Sequence, residues 1–432
     1  MTPLTHLLGL PRGQLVDHLV RLLPETATGP GRDRVPIDGP RGGRATALVR
    51  LATIDPVAYA RSRNHVAGAV TGLSPWIRHG VLSLAEVRDV ALARAGSPEA
   101  ATKLVSELGW REYWRQVQSE LGDLVRRDIE TPAARWRSPR IEAVPEDVAA
   151  ARTGMACIDA FVTKLHATGW LHNHERMWLA SWLVHFRGVC WQAGADWFLE
   201  HLLDGDPASN HLSWQWVAGT FSAKPYLFNR ENLETFSAGA HCHACPVRGH
   251  CDVEGAYDEL AGRVFDAARP AGDPPLRIRP RSQPAADAPL ARPLVWLTLD
   301  SASPTSPAAA RHPDAPRVFV LDPAWLAEER PAVKRLVFLL ECLADVPRVE
   351  LLLGDPPPLL RRRAGDLGCD GIAVAETPCP RTRRHAAELA GGVPLARVPW
   401  PRFCDPSRVR DLGRFSRWWA AVATSALKPT DA

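Results

Sequence analysis

The sequence predicts a multi-domain chain: an all-α unit followed by a C-terminal α/β unit built on a parallel sheet. Three observations carry this. Residues 267–293 read AARPAGDPPLRIRPRSQPAADAPLARP, rich in Pro, Ala and Arg and without apolar periodicity, which is linker chemistry. Before that stretch, apolar residues recur at three-to-four spacing, as in Ile158–Leu165 and Glu175–Phe186. After it, short apolar runs alternate with helical segments, the pattern of strands joined by crossovers. The expected organisation is a helical segment over 1–40, a helical domain over 41–265, a linker over 266–292 and an α/β domain over 293–432.

In the first part, Met177–Phe186 is apolar nearly all round, as a buried helix is. In the second, Pro293–Leu299, Arg317–Leu321, Arg348–Leu353, Gly371–Ala375 and Pro394–Val398 read as buried strands, and Pro323–Ala344 and Pro358–Leu367 as helices. This is a Rossmann-like alternation, whose ligands bind at the carboxyl ends of the strands. The text after the first strand is DSASPTS, with no glycine-rich phosphate loop, so no dinucleotide site is read there.

Composition excludes several classes. At 46% hydrophobic the 432 residues can bury a sizeable core. No apolar run approaches the roughly 20 residues of a membrane span. Nine Cys do not read as a disulfide scaffold, so the expectation is a reduced, cytoplasmic protein, most simply a monomer. Net charge is +4, too small to establish a nucleic-acid partner. Only five of the 52 basic residues are Lys, a bias read first as codon usage and second as help for phosphate binding. Trp is overused, at 16 against 4 Tyr, and eleven of the sixteen lie between Trp76 and Trp216.

Residues 107–216 concentrate the chemistry. They contain ELGWREY from Glu107, TGWLHNHERM from Thr168 and DGDPASNHLSWQW from Asp204. Here the sequence resembles the cryptochrome/photolyase family, whose patterns ExxWRE(F/Y), TGWxHNxxRM and DxDxAxNxxxWQW recur with this spacing and order. Upstream, TGLSP from Thr71 resembles the family's phosphate-binding turn, and Tyr59 a flavin-binding tyrosine. The match covers about residues 41–235.

The resemblance implies a helical domain holding FAD. Thr71, Leu73 and Ser74 would cradle the diphosphate, where Thr71 and Ser74 offer hydroxyls at a Gly/Pro turn. Asn210 would face the reactive edge of the flavin, with Arg176 paired to Asp204 and with Asp206 beside it. Trp214 and Trp191 would be the inner and middle electron carriers, and Trp136 is the candidate for a third. Glu107, Trp110, Asn173, Met177 and Trp216 match substrate-facing positions, with Trp110 and Trp216 as stacking platforms for a flipped-out pyrimidine dimer. Trp170, Trp178, Trp182 and Trp197 read as core packing.

Cys242, Cys245 and Cys251 stand in C-x2-C-x5-C spacing, a metal signal. Zinc completed by His243 or His250 is one reading. The other is a 4Fe–4S cluster with a fourth cysteine from elsewhere. GMACID, with Cys157, resembles a segment of the iron–sulfur bacterial cryptochromes and photolyases, which favours the cluster on Cys157, Cys242, Cys245 and Cys251.

In that family the α/β domain comes first, whereas here it comes last, so the resemblance implies a permuted order. The family's usual opening is eroded to VWLTLD from Val295, which leaves antenna-chromophore binding open. The expected function is light-driven repair of UV-damaged DNA, with reduced FAD passing an electron to a pyrimidine dimer. Asn at position 210, as in photolyases, supports repair over signalling; His172 also occurs in the cyclobutane-dimer enzymes, while an active-site histidine as proton donor leaves the 6-4 photoproduct open. A cryptochrome-type blue-light receptor is the alternative.

Overall fold

Five runs of aliphatic residues, buried on both faces, form the parallel strands of one sheet. A computed structural model describes residues 2–268, 276–280 and 289–430. Named with the shorter strands, these are β1 (Thr2–Pro3), β2 (Ala134–Trp136), β3 (Phe265–Ala268), β4 (Pro293–Leu297), β5 (Arg317–Leu321), β6 (Val349–Leu353), β7 (Gly371–Ala375) and β8 (Leu395–Val398). The sheet order is β1-β6-β5-β4-β7-β8, with β4 to β8 parallel. Among the parallel strands this is third-second-first-fourth-fifth in chain order, a doubly wound sheet whose switch point lies between β4 and β7.

Side chains alternate across the sheet as the pleat requires. Leu294, Trp296, Val318, Val320, Leu352, Ile372 and Val374 form one face. Val295, Leu297, Phe319, Leu321, Leu351 and Ala373 form the other. That second face does not belong to a separate domain core. It is continuous with Leu4, Leu7, Leu15 and Leu19 of the first residues, with helix Val333–Ala344, and with Leu104, Val105, Leu108 and Trp114 of helix Pro98–Leu121. A second apolar cluster, with Ile158, Phe161, Trp178, Trp182, Trp191 and Trp214, lies wholly within the helical unit.

The expected boundaries therefore need correction at three places. The first forty residues carry helix Arg12–Leu22, but they also add an edge strand: Thr2 pairs antiparallel with Leu353 and Pro3 with Leu352. Arg12, 4% exposed, fixes this segment to the sheet unit through Glu341 at 2.7 Å. The expected linker 266–292 lies partly outside the described residues. Its beginning pairs as β3 with β2, and Ile278 is buried, with its carbonyl accepting from Leu412 N at 2.8 Å. The last helix, Phe415–Ala426, follows the sheet in sequence but packs on the helical unit. Trp418 Nε1 donates to Gln116 Oε1 at 2.9 Å, and Tyr113 Oη donates to Leu412 O at 2.7 Å.

Helix Pro323–Ala344 is also two helices, Pro323–Glu329 and Val333–Ala344. Pro331 disfavours helical conformation in the residue before it, and Arg330 takes φ 44° instead. Glu175–Phe186 ends in a π-helical turn over Trp182–Phe186. No helix among the described residues is long and apolar enough to cross a membrane.

Candidate functional site

The turn Asp204–Gly205–Asp206 lies between two packed helices, Trp191–His201 and Pro207–Ala218. Asp206 is the N-cap of the second, accepting from Ser209 N at 3.3 Å and Ser209 Oγ at 2.8 Å. Asp204 is buried and takes a two-pronged contact from Arg176, at 3.1 and 2.8 Å. Burial pushes the Asp204 carboxyl up, but Arg176, with a hydrogen bond from Ser74, holds it below the usual range. Ser74 is in the turn expected to cradle a diphosphate, so the acid pair and that turn are in contact. In the turn, Leu73 is fully buried and Gly72 takes φ +64°, a conformation a side chain resists. Arg50 Nε donates to Thr71 O at 2.6 Å and its NH2 to Val70 O at 3.0 Å, placing a cation against the turn.

A second chain of contacts runs from the same region. His172 caps helix Asn173–Ser181: its Nδ1 accepts from His174 N at 3.1 Å, and its Nε2 donates to Arg63 O at 2.9 Å. Both ring nitrogens are thus committed to backbone, and burial lowers the ring's pKa. Arg63 pairs with Glu107 at 2.9 Å, and Lys103 holds the other Glu107 oxygen at 2.8 Å. Tyr59 lies beneath Arg63, its hydroxyl pushed up to about 12 by burial and then by Glu107. Asn173, the residue after His172, is exposed, and its Nδ2 donates to Met177 Sδ at 3.2 Å.

Asn210 is 9% exposed, and its Nδ2 donates to Ala195 O at 2.8 Å. Trp214 is buried edge-to-face against Phe198 at 5.0 Å and lies directly over Gly194. A Cβ at position 194 would fall inside the contact distance of the Trp214 ring. Gly194→Ala is therefore expected to cost about 1–3 kcal/mol in urea unfolding, despite alanine's better helix propensity. Trp191 is 3% exposed and donates from Nε1 to Asp128. Trp136, in β2, is half-buried and donates from Nε1 to His185 Nδ1.

Trp110 and Trp216, expected as stacking platforms, each have an aromatic partner of their own. Phe415 stacks on Trp110 with centroids 3.8 Å apart and planes 10° apart, and Trp216 packs on Tyr226. One face of Trp110 is thus taken by the C-terminal helix.

The four cysteines converge. Cys157, Cys242, Cys245 and Cys251 line one recess with Met155 and His241. The Cys157 thiol is pushed up to about 12, by burial and then by Cys242. Yet among the described residues no group of three or more His, Cys, Asp or Glu is gathered closely enough to hold a metal ion. A tetrahedral zinc site, with Zn–S near 2.3 Å, brings its sulfurs to within about 4 Å of one another. The donors do not fit the zinc reading, and the histidine at the recess is His241 rather than His243 or His250.

Residues 104–241 match the family described as the FAD binding domain of DNA photolyase. Over that region the chain is similar to the cryptochrome/photolyase family. It is 37% identical to a deoxyribodipyrimidine photo-lyase of Streptomyces griseus over 184 residues, 42% of this chain and 40% of that protein. It is 32% identical to a chloroplastic/mitochondrial cryptochrome DASH of Ostreococcus tauri over 200 residues, 44% of this chain and 36% of that one. The chain thus matches well under half the length of these relatives. A solved cryptochrome of Synechocystis aligns with TM-score 0.42 at 25% identity, over 47% of this chain and 44% of that one.

The match to an FAD-binding domain supports FAD as the cofactor of this region. The residues fit it: Ser74, in the turn expected to cradle the diphosphate, hydrogen-bonds Asp204, which pairs with Arg176, and the Arg50 guanidinium lies against Gly72 of the same turn. Several residues of this photolyase-like site were not legible in the motifs. Arg78, 3% exposed, pairs with Asp300 at the carboxyl end of β4 and donates from Nε to Gly205 O at 2.7 Å. Arg115 lies 3.7 Å from Asp300, and Arg111 lies 3.5 Å from Asp206. The crevice where a doubly wound sheet ordinarily takes a ligand is therefore filled by arginines of the helical unit. The sequence signal was an acid directly after a buried strand, and it was read only as a missing phosphate loop.

Proposed function

We propose that this chain is a light-driven DNA-repair flavoprotein of deoxyribodipyrimidine photolyase type, acting on a pyrimidine dimer flipped out of the strand. The observation that carries this is the meeting of two contact chains at residues 171–177: Arg176–Asp204–Ser74 on one side, and His172–Arg63–Glu107 with exposed Asn173 and Met177 on the other. When bound, FAD supplies a photoexcited one-electron donor. The chain's own residues do the rest. Arg176 and Asp204 would orient the flavin, Asn210 would lie at its reactive edge, and Thr71, Leu73 and Ser74 with Tyr59 would hold its phosphate side. Asn173 and Glu107 offer polar groups to the pyrimidine edges, with Met177, Trp110 and Trp216 as apolar contacts. Glu107 must release Lys103 or Arg63 to do so.

His172 supports the cyclobutane dimer over the 6-4 photoproduct, because neither of its nitrogens is free to donate a proton to substrate. We read the β4–β8 sheet as the family's α/β domain placed last in the chain. Its strand order and the edge position of β1 support this. For the cysteines, the 4Fe–4S reading on Cys157, Cys242, Cys245 and Cys251 rests on their spacing and on the GMACID resemblance alone, since among the described residues no donor group is gathered to hold a metal. Anaerobically purified protein is then expected to carry iron, and iron-free protein overturns that part.

One observation favours the second reading, a blue-light receptor without repair: Phe415 covers a face of Trp110. Blue light on the reduced, FAD-loaded protein with a dimer-containing oligonucleotide separates the two. Dimer splitting, weakened in Glu107→Gln, is expected; absence of splitting overturns the repair reading.

A further inference from the structure

Resting on the flavin reading above, we infer that Trp191 is the residue on which the electron vacancy settles after photoreduction, and that Asp128 is the base that takes its indole proton. Trp214 lies against Gly194, one helical turn from Trp191, so the two rings are carried on adjoining helices. Trp191 itself is buried, yet its Nε1 donates to Asp128 Oδ1 at 2.6 Å, and Asp128 is exposed to solvent. The one acidic hydrogen of a buried indole therefore rests on a carboxylate that exchanges with water. Gln192 Nε2, 3.4 Å from the same oxygen, helps hold the carboxylate in place, and Arg140 is the cation nearby.

Trp136 has the opposite surroundings. Its Nε1 donates to His185 Nδ1 at 3.0 Å, while His185 Nε2 spends its own hydrogen on Val217 O at 3.1 Å. Burial, and then Arg140, holds that imidazole's pKa down to about 3, so it is a poor proton acceptor. The Arg140 guanidinium also lies 4.3 Å over the Trp136 ring, where a positive charge on the ring is repelled. Trp136 thus stands outside the path, and the vacancy ends at Trp191.

The step balances within the protein. Trp214 gives one electron to the light-excited cofactor, and Trp191 refills Trp214. Trp191 is oxidised by one electron and FAD is reduced by one. The Trp191 Nε1–H bond breaks, its proton forms an O–H bond on Asp128, and a neutral indolyl radical remains.

Asp128→Asn keeps an oxygen for the indole N–H but cannot take its proton. Flash excitation of the FAD-loaded protein, followed by transient absorption, reads the outcome. In the unmodified chain the tryptophan cation radical is expected to become a long-lived neutral radical, more slowly in D2O. In D128N the cation is expected to persist and the long-lived yield to fall about tenfold, the factor set by losing about 1.4 kcal/mol of charge-assisted hydrogen bonding. Trp191→Phe removes the long-lived radical and Trp136→Phe keeps it. A D128N yield and isotope effect equal to those of the parent, or loss of the radical in W136F, overturns the inference. FAD-loaded parent that forms no tryptophan radical overturns it at an earlier step. A chain that takes up no FAD overturns the flavin reading itself.

Discussion

Arg78→Ala is expected to lower the unfolding free energy by about 3–5 kcal/mol, because it leaves Asp300 as an uncompensated buried charge. Both partners are buried, at 3% and 7% exposure. The loss reaches further than one pair, since Arg78 Nε also supports the Gly205 carbonyl between Asp204 and Asp206. The α/β unit and the flavin-site turn are thus tied through one side chain. Arg78→Lys keeps the charge but not the fork, and is expected to recover part of the loss. The pH dependence follows from Asp300. Burial pushes its carboxyl up, but Arg78 and then Arg115 hold it below the usual range. With a depressed folded value, the contribution is present above the ordinary carboxylate range and is lost as pH falls through the folded value. Without Arg78 the folded value rises, so the acid-side loss begins at higher pH. Urea unfolding at pH 7 and at pH 5 measures both effects, and an R78A curve that coincides with the parent at both would contradict them.

Arg176→Ala is expected to empty the cofactor site. The Asp204 carboxylate is buried, whereas Arg176 keeps a quarter of its side chain in solvent. The stability cost therefore falls at the low end of the buried-pair range, about 3 kcal/mol. The larger consequence is local. Arg176 Nε also donates to Leu171 O at 3.0 Å, so the residue pins the turn before helix Asn173–Ser181 to the acid turn. Without it, burial acts on Asp204 with little opposition, and the carboxyl takes up a proton at higher pH than in the parent. R176A is expected to purify with little FAD at pH 7. FAD content equal to the parent's would show that the pair is structural only.

What the sequence made legible was what depends on local pattern. The five parallel strands were found within two residues at either end, because strands buried on both faces read as continuous apolar runs. The Asp204–Arg176 pair was found because both residues lie in dense motifs. Contacts between distant, individually ordinary residues were not. Asp300 and Arg78 stand 222 positions apart, and the arginine excess was read first as codon usage, although Arg78, Arg88 and Arg335 are buried. The two residues of β1 are too few to show a period, and Phe415 carries no mark of its place over Trp110. The cysteine spacing was read as a metal site; the four cysteines do line one recess, but among the described residues no donor group is gathered to hold a metal, because spacing fixes neither the sulfur–sulfur distances nor the rotamers.

On the proposed reading the helical unit holds FAD between the Ser74 turn and the Arg176–Asp204 pair. The absorption spectrum of the protein after purification and incubation with FAD tests it most directly. A bound flavin spectrum near one FAD per chain, lost in R176A, is expected. A chain that retains no flavin after desalting would contradict it.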